Sequence, residues 1–66
     1  MNIELRFLQK AIEDKNFIAF SYENQKISRL KPLELREEEG ALVLITDKNH
    51  FYFDKIKKLK ILKERF

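Results

Sequence analysis

One small set of side chains could grip an anionic ligand. Aromatic rings stack on nucleobases and neighbouring cations neutralise phosphates, so a ring beside several cations is suited to a single-stranded nucleic acid or a nucleotide. In this sequence, the strands predicted from alternation, and the loops beside them, place such side chains on the outer surface. They are Arg29, Lys31, His50, Tyr52 and Lys55. These five residues are the candidate ligand-binding or nucleic-acid-binding site, unless Tyr52 only rims the core and the charges are merely solvated.

Other site chemistries find little support in the composition. The chain has no Cys, one His and one Gly, which excludes a thiolate nucleophile, a zinc site of several imidazoles and a Gly-rich phosphate loop. The acidic residues 37–39 are adjacent, whereas a calcium loop needs spaced ligands. We therefore expect no enzymatic activity, no metal site and no cofactor.

Charge is distributed unevenly along the 66 residues, whose net charge is +3. Residues 48–66 carry seven basic and two acidic side chains, whereas residues 1–47 carry seven basic and nine acidic ones. This asymmetry is compatible with a polyanionic partner. Lysine-rich strands also arise simply to protect sheet edges and to keep a small domain in solution.

The elements that must position these side chains begin with a helix over about residues 3–15. Apolar residues recur there at helical spacing, Asn2 is the expected N-cap, and the helix is expected to end near Lys15 and Asn16. From Phe17 the apolar period changes to two, which predicts a half-buried strand followed by a turn over residues 23–25.

Further strands follow, again with period-two patterns. A second strand over about residues 26–36 is expected to bend at Pro32, which cannot donate to a ladder. Residues 41–45 form the most apolar segment and predict a central strand, while residues 50–53 place Phe51 and Phe53 inward. One helical turn capped by Asp54 precedes a last strand over residues 58–63.

One helix and about five short strands in a single domain are too few for a two-sheet sandwich. We expect a mainly β fold with an N-terminal helix, closed into a small five-stranded SH3-like or Sm-like barrel over about residues 17–63. No apolar run approaches the about 20 residues of a membrane-spanning helix. These observations predict a cytoplasmic protein without a membrane partner.

The order of several short anchors resembles the WYL domain family. The anchors are Ala11-Ile12, Phe20-x-Tyr22, Arg29-x-x-Pro32-Leu33, Gly40 before an apolar strand, and Phe51-x-x-Asp54-Lys55-Ile56. They span nearly the whole chain. Two differences accompany them, because residues 41–43 read Ala-Leu-Val where the family has Trp-Tyr-Leu, and Asn49 and Lys55 replace family arginines.

The resemblance implies an Sm-like or SH3-like barrel from a bacterial transcription regulator, acting as a ligand-sensing or nucleic-acid-binding module. The expected partners are a single-stranded nucleic acid or a nucleotide, a second copy of the chain, or a neighbouring domain of a longer regulator. The alternative is a protein-interaction or dimerisation barrel that binds no small ligand.

Overall fold

The computed structural model describes residues 3–66 as one helix followed by six strands. The elements are α1 (Ile3–Asp14), β1 (Asn16–Tyr22), β2 (Gln25–Leu30), β3 (Pro32–Glu38), β4 (Ala41–Thr46), β5 (His50–Tyr52), a 3₁₀ turn (Phe53–Lys55) and β6 (Ile56–Arg65). The predicted helix and its N-terminal position are confirmed. The predicted cap, Asn2, lies outside the described residues.

The strands form two antiparallel sheets. Sheet 1 has the order β2-β1-β6, and sheet 2 has the order β3-β4-β5, so the predicted central position of β4 is confirmed. The prediction of five strands is wrong, because the expected bent strand over residues 26–36 is two strands in different sheets.

The crossing between the sheets occurs at Lys31 and Pro32. The backbone N–H of Lys31 donates to Asp47 Oδ1 at 3.0 Å, and the N–H of Asp47 donates to the Lys31 carbonyl at 3.3 Å. Pro32 has no N–H to offer a ladder, so the strand is interrupted where the chain changes sheets.

Two hairpins use left-handed residues at their turns. Glu23 and Asn24 have φ of 48° and 67°, and Glu39 and Gly40 have φ of 50° and 81°, as two-residue turns between antiparallel strands require. The predicted turn at residues 23–25 is therefore confirmed in position. At the end of α1 the left-handed residue is Lys15, with φ 59°, and Asn16 already begins β1.

Bulges on both sides of β1 alter the strand phases. The partner of β1 moves from Leu30 to Ile27 between Ile18 and Phe20, and this irregularity holds Arg29 at φ 57°. A second bulge holds Lys58 of β6 at φ 55°.

In the bulged strand β6, burial recurs at every third residue. Ile56 is buried, and Leu59 and Leu62 are half-buried, whereas Ile61 is 37% exposed. Sequence alternation over residues 58–63 predicts that Leu59 and Ile61 share one apolar face and that Leu62 is out of phase, and the exposure of Ile61 shows that this prediction is wrong. A bulge inserts a residue that sequence alternation does not reveal.

The core is shared by the helix and both sheets. Its buried members are Leu8, Ala11, Ile18, Phe20, Leu30, Leu44, Phe51 and Ile56. The Phe51 ring of sheet 2 lies 5.1 Å from the Phe20 ring and 4.9 Å from the Tyr22 ring of sheet 1, both edge-to-face. The N–H of Tyr52 also donates to Tyr22 Oη at 3.1 Å. These contacts join the two sheets.

The segment after β4 follows the expected phase. Phe51 is buried and Phe53 packs partly buried against the core, while His50 and Tyr52 are exposed. The capping role predicted for Asp54 is wrong. The 3₁₀ turn starts at Phe53, and its N-cap is Tyr52, which makes no side-chain capping bond, so Asp54 lies within the turn.

Candidate nucleic-acid interface

The five residues predicted for the site fall into two groups. Arg29 and Lys31 lie where β2 ends and the chain crosses to sheet 2, whereas His50, Tyr52 and Lys55 lie on β5 and the 3₁₀ turn. In the part of the chain that the structure describes, no hydrogen bond, ion pair or ring contact joins Arg29 to Tyr52. That the five predicted residues act together as one site stays a prediction.

The first group lies against two phenylalanines. The Arg29 guanidinium carbon is 4.7 Å from the centroid of the Phe17 ring, and Arg29 Nη1 donates to Glu64 Oε1 at 2.5 Å. Phe66 meets Phe17 edge-to-face at 5.5 Å, and Lys31 Nζ is 5.8 Å from the centroid of the Phe66 ring. We call these five residues the aromatic–cation cluster.

The second group is centred on an exposed ring. Half of the Tyr52 surface is exposed, and Lys55 Nζ lies 5.6 Å from the centroid of its ring. His50 is exposed two residues earlier on the same strand, so it shares the outward face with Tyr52. This arrangement leaves part of the Tyr52 ring open for stacking.

A groove on the outer face of sheet 1 was not predicted from the sequence. Two adjoining depressions share Ser21, Lys26 and Lys58, and the first encloses about 650 Å³ beside the β1–β2 hairpin. We call their joint floor and walls the basic groove. Its lining includes Ala19, Ser21, Lys26, Ser28, Lys57, Lys58 and Lys60, and the first depression is also lined by the acidic Glu23 and Asp54.

Strand register explains the shape of the basic groove. On the central strand β1, Ser21 is paired with Lys26 of β2 on one side and with Lys57 of β6 on the other. Ala19, two residues earlier and on the same face, is paired with Lys60. Small side chains thus form the floor and long lysines form the walls.

Lysines outnumber acidic residues in the lining of the basic groove. Among residues 3–66, none of the four groove lysines takes part in a salt bridge. Sheet 1 holds seven Lys and Arg residues and one Glu, so it concentrates the positive charge of the chain. Such a surface attracts anions over a distance of about one Debye length, about 8 Å at physiological ionic strength.

The two predicted groups flank the basic groove. Lys55 lines the depression near Ser21 and contacts Tyr52, while Phe17 lies on the same face of β1 beyond Ala19 and contacts Arg29. The sequence did show a lysine-rich tail. It did not show that this tail pairs with β1, because pairing and bulges are long-range features.

Neither a metal-binding cluster nor a membrane-spanning helix is found among residues 3–66. No group of three or more His, Cys, Asp or Glu side chains there is arranged to hold a metal ion. No helix in this range is both long and apolar enough to cross a membrane.

Comparison of the chain with models of known families, with curated proteins and with solved structures gave no match. The geometry and charge of sheet 1 therefore carry the proposed function.

Proposed function

We propose that this chain is a nucleic-acid-binding or nucleotide-binding regulatory module whose two sheets form an SH3-like or Sm-like barrel. The observation that carries the proposal is the basic groove, with its unpaired lysines on either side of a floor of small residues. The resemblance to the WYL domains of bacterial transcription regulators supports the same function.

The groove suits an extended, flexible polyanion. Lys60 and Lys57 pair with Ala19 and Ser21, which lie two residues apart on β1, a spacing of about 6.6–6.8 Å in a strand. Lysine ammonium groups act as mobile point charges, whereas arginine offers a planar fork for bidentate contacts. Binding in the groove is therefore expected to follow the phosphate backbone and to tolerate different base sequences.

The five predicted residues contribute at the two ends of this path. At one end Tyr52 offers a ring for a base, with His50 beside it and Lys55 extending the positive charge from the groove. At the other end Arg29 and Lys31 offer charge beside Phe17 and Phe66. A single strand lying in the groove would reach both.

The direct test is fluorescence anisotropy of a labelled short oligothymidylate, titrated with the protein at several salt concentrations. Each phosphate contact on a single strand contributes about −0.7 to the slope of log K against log salt. We expect Lys60→Gln to reduce the steepness of that slope by about this amount.

The matched control is Lys48→Gln. It removes the same charge from the exposed β4–β5 turn, outside the basic groove. The slope of this variant should equal that of the wild type. Salt-independent binding, or equal effects of the two substitutions, would refute the proposal.

A second candidate function is a protein-interaction or dimerisation module. Ile3 and Phe7 of α1 are 63% and 57% exposed, and Phe7 lies with Ile61 of β6 along a shallow depression. Sedimentation of the protein without ligand tests this function. Concentration-dependent self-association that Phe7→Asp abolishes would favour it.

A further inference from the structure

We propose that the aromatic–cation cluster is a subsite for one unpaired base together with its phosphate, and that Glu64 occupies the phosphate position until the ligand displaces it. This inference rests on the proposed function and deepens it. It specifies which part of the ligand is recognised beyond the charge of its backbone.

The Arg29 guanidinium has two faces and an N–H edge, and its contacts use only some of them. The guanidinium carbon lies over the Phe17 ring, 4.7 Å from its centroid, and Nη1 donates to Glu64 Oε1. The Arg29 side chain is nevertheless 57% exposed. The face turned away from Phe17 can therefore receive a base, since unpaired bases stack on guanidinium planes as they do on aromatic rings.

Glu64 accepts one hydrogen bond from the guanidinium edge, at a position that a phosphate oxygen can also occupy. A carboxylate and a phosphate both accept two parallel N–H bonds from an arginine. The Arg29 and Glu64 side chains are 57% and 59% exposed, and solvent screens an exposed ion pair so strongly that it contributes little to stability. A ligand phosphate beside the positive sheet can therefore replace the Glu64 carboxylate.

The backbone around the cluster is held by bonds independent of the Glu64 side chain. Asn16 Nδ2 donates to the Leu62 carbonyl at 3.1 Å, and the N–H of Phe66 donates to the Lys15 carbonyl at 2.8 Å. The Glu64 carboxylate can thus leave while β6 stays paired with β1. Displacement of the Glu64 carboxylate by a ligand therefore requires only the side chain to move.

The test compares two ligands of equal length, oligothymidylate and an abasic deoxyribose-phosphate oligomer, against three proteins. Wild type should prefer the ligand that has bases. Arg29→Lys retains the charge and removes the plane, so it should lower affinity for oligothymidylate about tenfold and affinity for the abasic oligomer much less. Glu64→Gln should tighten binding of both ligands by about threefold.

Thermal unfolding of each variant, followed by circular dichroism, identifies any loss of folded protein. If Arg29→Lys keeps the full preference for bases, or Glu64→Gln leaves both affinities unchanged, the subsite is refuted while the proposed function stands. If the wild-type protein binds neither ligand, both proposals fail together.

Discussion

The two sheets share one core, yet their outer surfaces differ in charge. Sheet 1 carries seven basic residues and one acidic residue, whereas sheet 2 carries Arg36 and three glutamates. On sheet 2 the Arg36 guanidinium lies 3.2 Å from Glu34 and 3.6 Å from Glu38. The hydrogen bond and charge of Glu34 raise the pKa of Arg36 above its ordinary value. Sheet 2 thus neutralises its own cation.

This difference separates solubility from binding. A surface that only had to keep a small domain in solution could mix both signs, as sheet 2 does. Sheet 1 instead gathers like charges around a floor of small side chains, which costs repulsion among the lysines. An anion in the groove would relieve that repulsion, so the contrast favours a ligand on sheet 1.

The largest expected effect comes from removing the aromatic contact between the two sheets. Phe51→Ala removes a buried ring that contacts Phe20 and Tyr22 across the core, and should lower the free energy of unfolding by about 3–5 kcal/mol. A domain this small rarely has more than about 3–5 kcal/mol of stability, so both sheets should unfold. Circular dichroism during urea titration measures the effect.

The milder variant Phe51→Leu keeps the test informative if Phe51→Ala is unfolded. Amide hydrogen exchange should show the amides of β1 and β4 losing protection together. Loss of protection in sheet 2 alone would contradict a single cooperative core.

Reversing the charge of one sheet is the next largest perturbation. Lys57→Glu combined with Lys60→Glu places two carboxylates along the groove wall, and should weaken oligothymidylate binding at least about 100-fold at low salt. Fluorescence anisotropy measures the loss.

The complementary variant makes sheet 2 more basic. Glu37→Lys adds two units of positive charge there without disturbing a described ion pair. If net charge alone governed binding, Glu37→Lys would bind oligothymidylate more tightly than the wild type. It would also restore binding when combined with the Lys57→Glu and Lys60→Glu substitutions. We expect neither effect, because the groove floor belongs to sheet 1.

The smallest expected effect concerns a hydrogen bond that joins the two sheets. Tyr22→Phe removes the hydroxyl that accepts a hydrogen bond from the N–H of Tyr52. Water can replace the acceptor at this exposed position, so unfolding should become easier by only about 0.5 kcal/mol. Thermal melts should show this shift while the affinity for oligothymidylate stays constant. A loss of affinity would show that the groove depends on the hydrogen bond between Tyr52 and Tyr22.

The sequence predicted local structure better than pairing. Helical spacing located α1, and alternation located β1, β4 and the inward side chain of Phe51. Pro32 marked an irregularity correctly. It could not show that the chain changes sheets there, because that depends on the distant partner Asp47.

The candidate site was predicted only at its margins. Arg29 and Tyr52 were identified by residue type and outward phase, and they lie at the two ends of the groove. The groove between them needs the pairing of Ser21 with both Lys26 and Lys57. Bulges at Arg29 and Lys58 shift the strand phases, and nothing in the local pattern announces them.

The left-handed residues also limit how this domain could be improved. Long side chains in that conformation cost roughly 1–2 kcal/mol relative to glycine, so Gly replacements offer a reserve of thermostability. At Lys15 and Glu39, substitution by glycine is expected to raise thermostability without removing a cation of the groove. At Arg29 and Lys58 the same gain would remove a cation beside or within the groove, so selection for heat resistance and selection for ligand affinity would act in opposite directions.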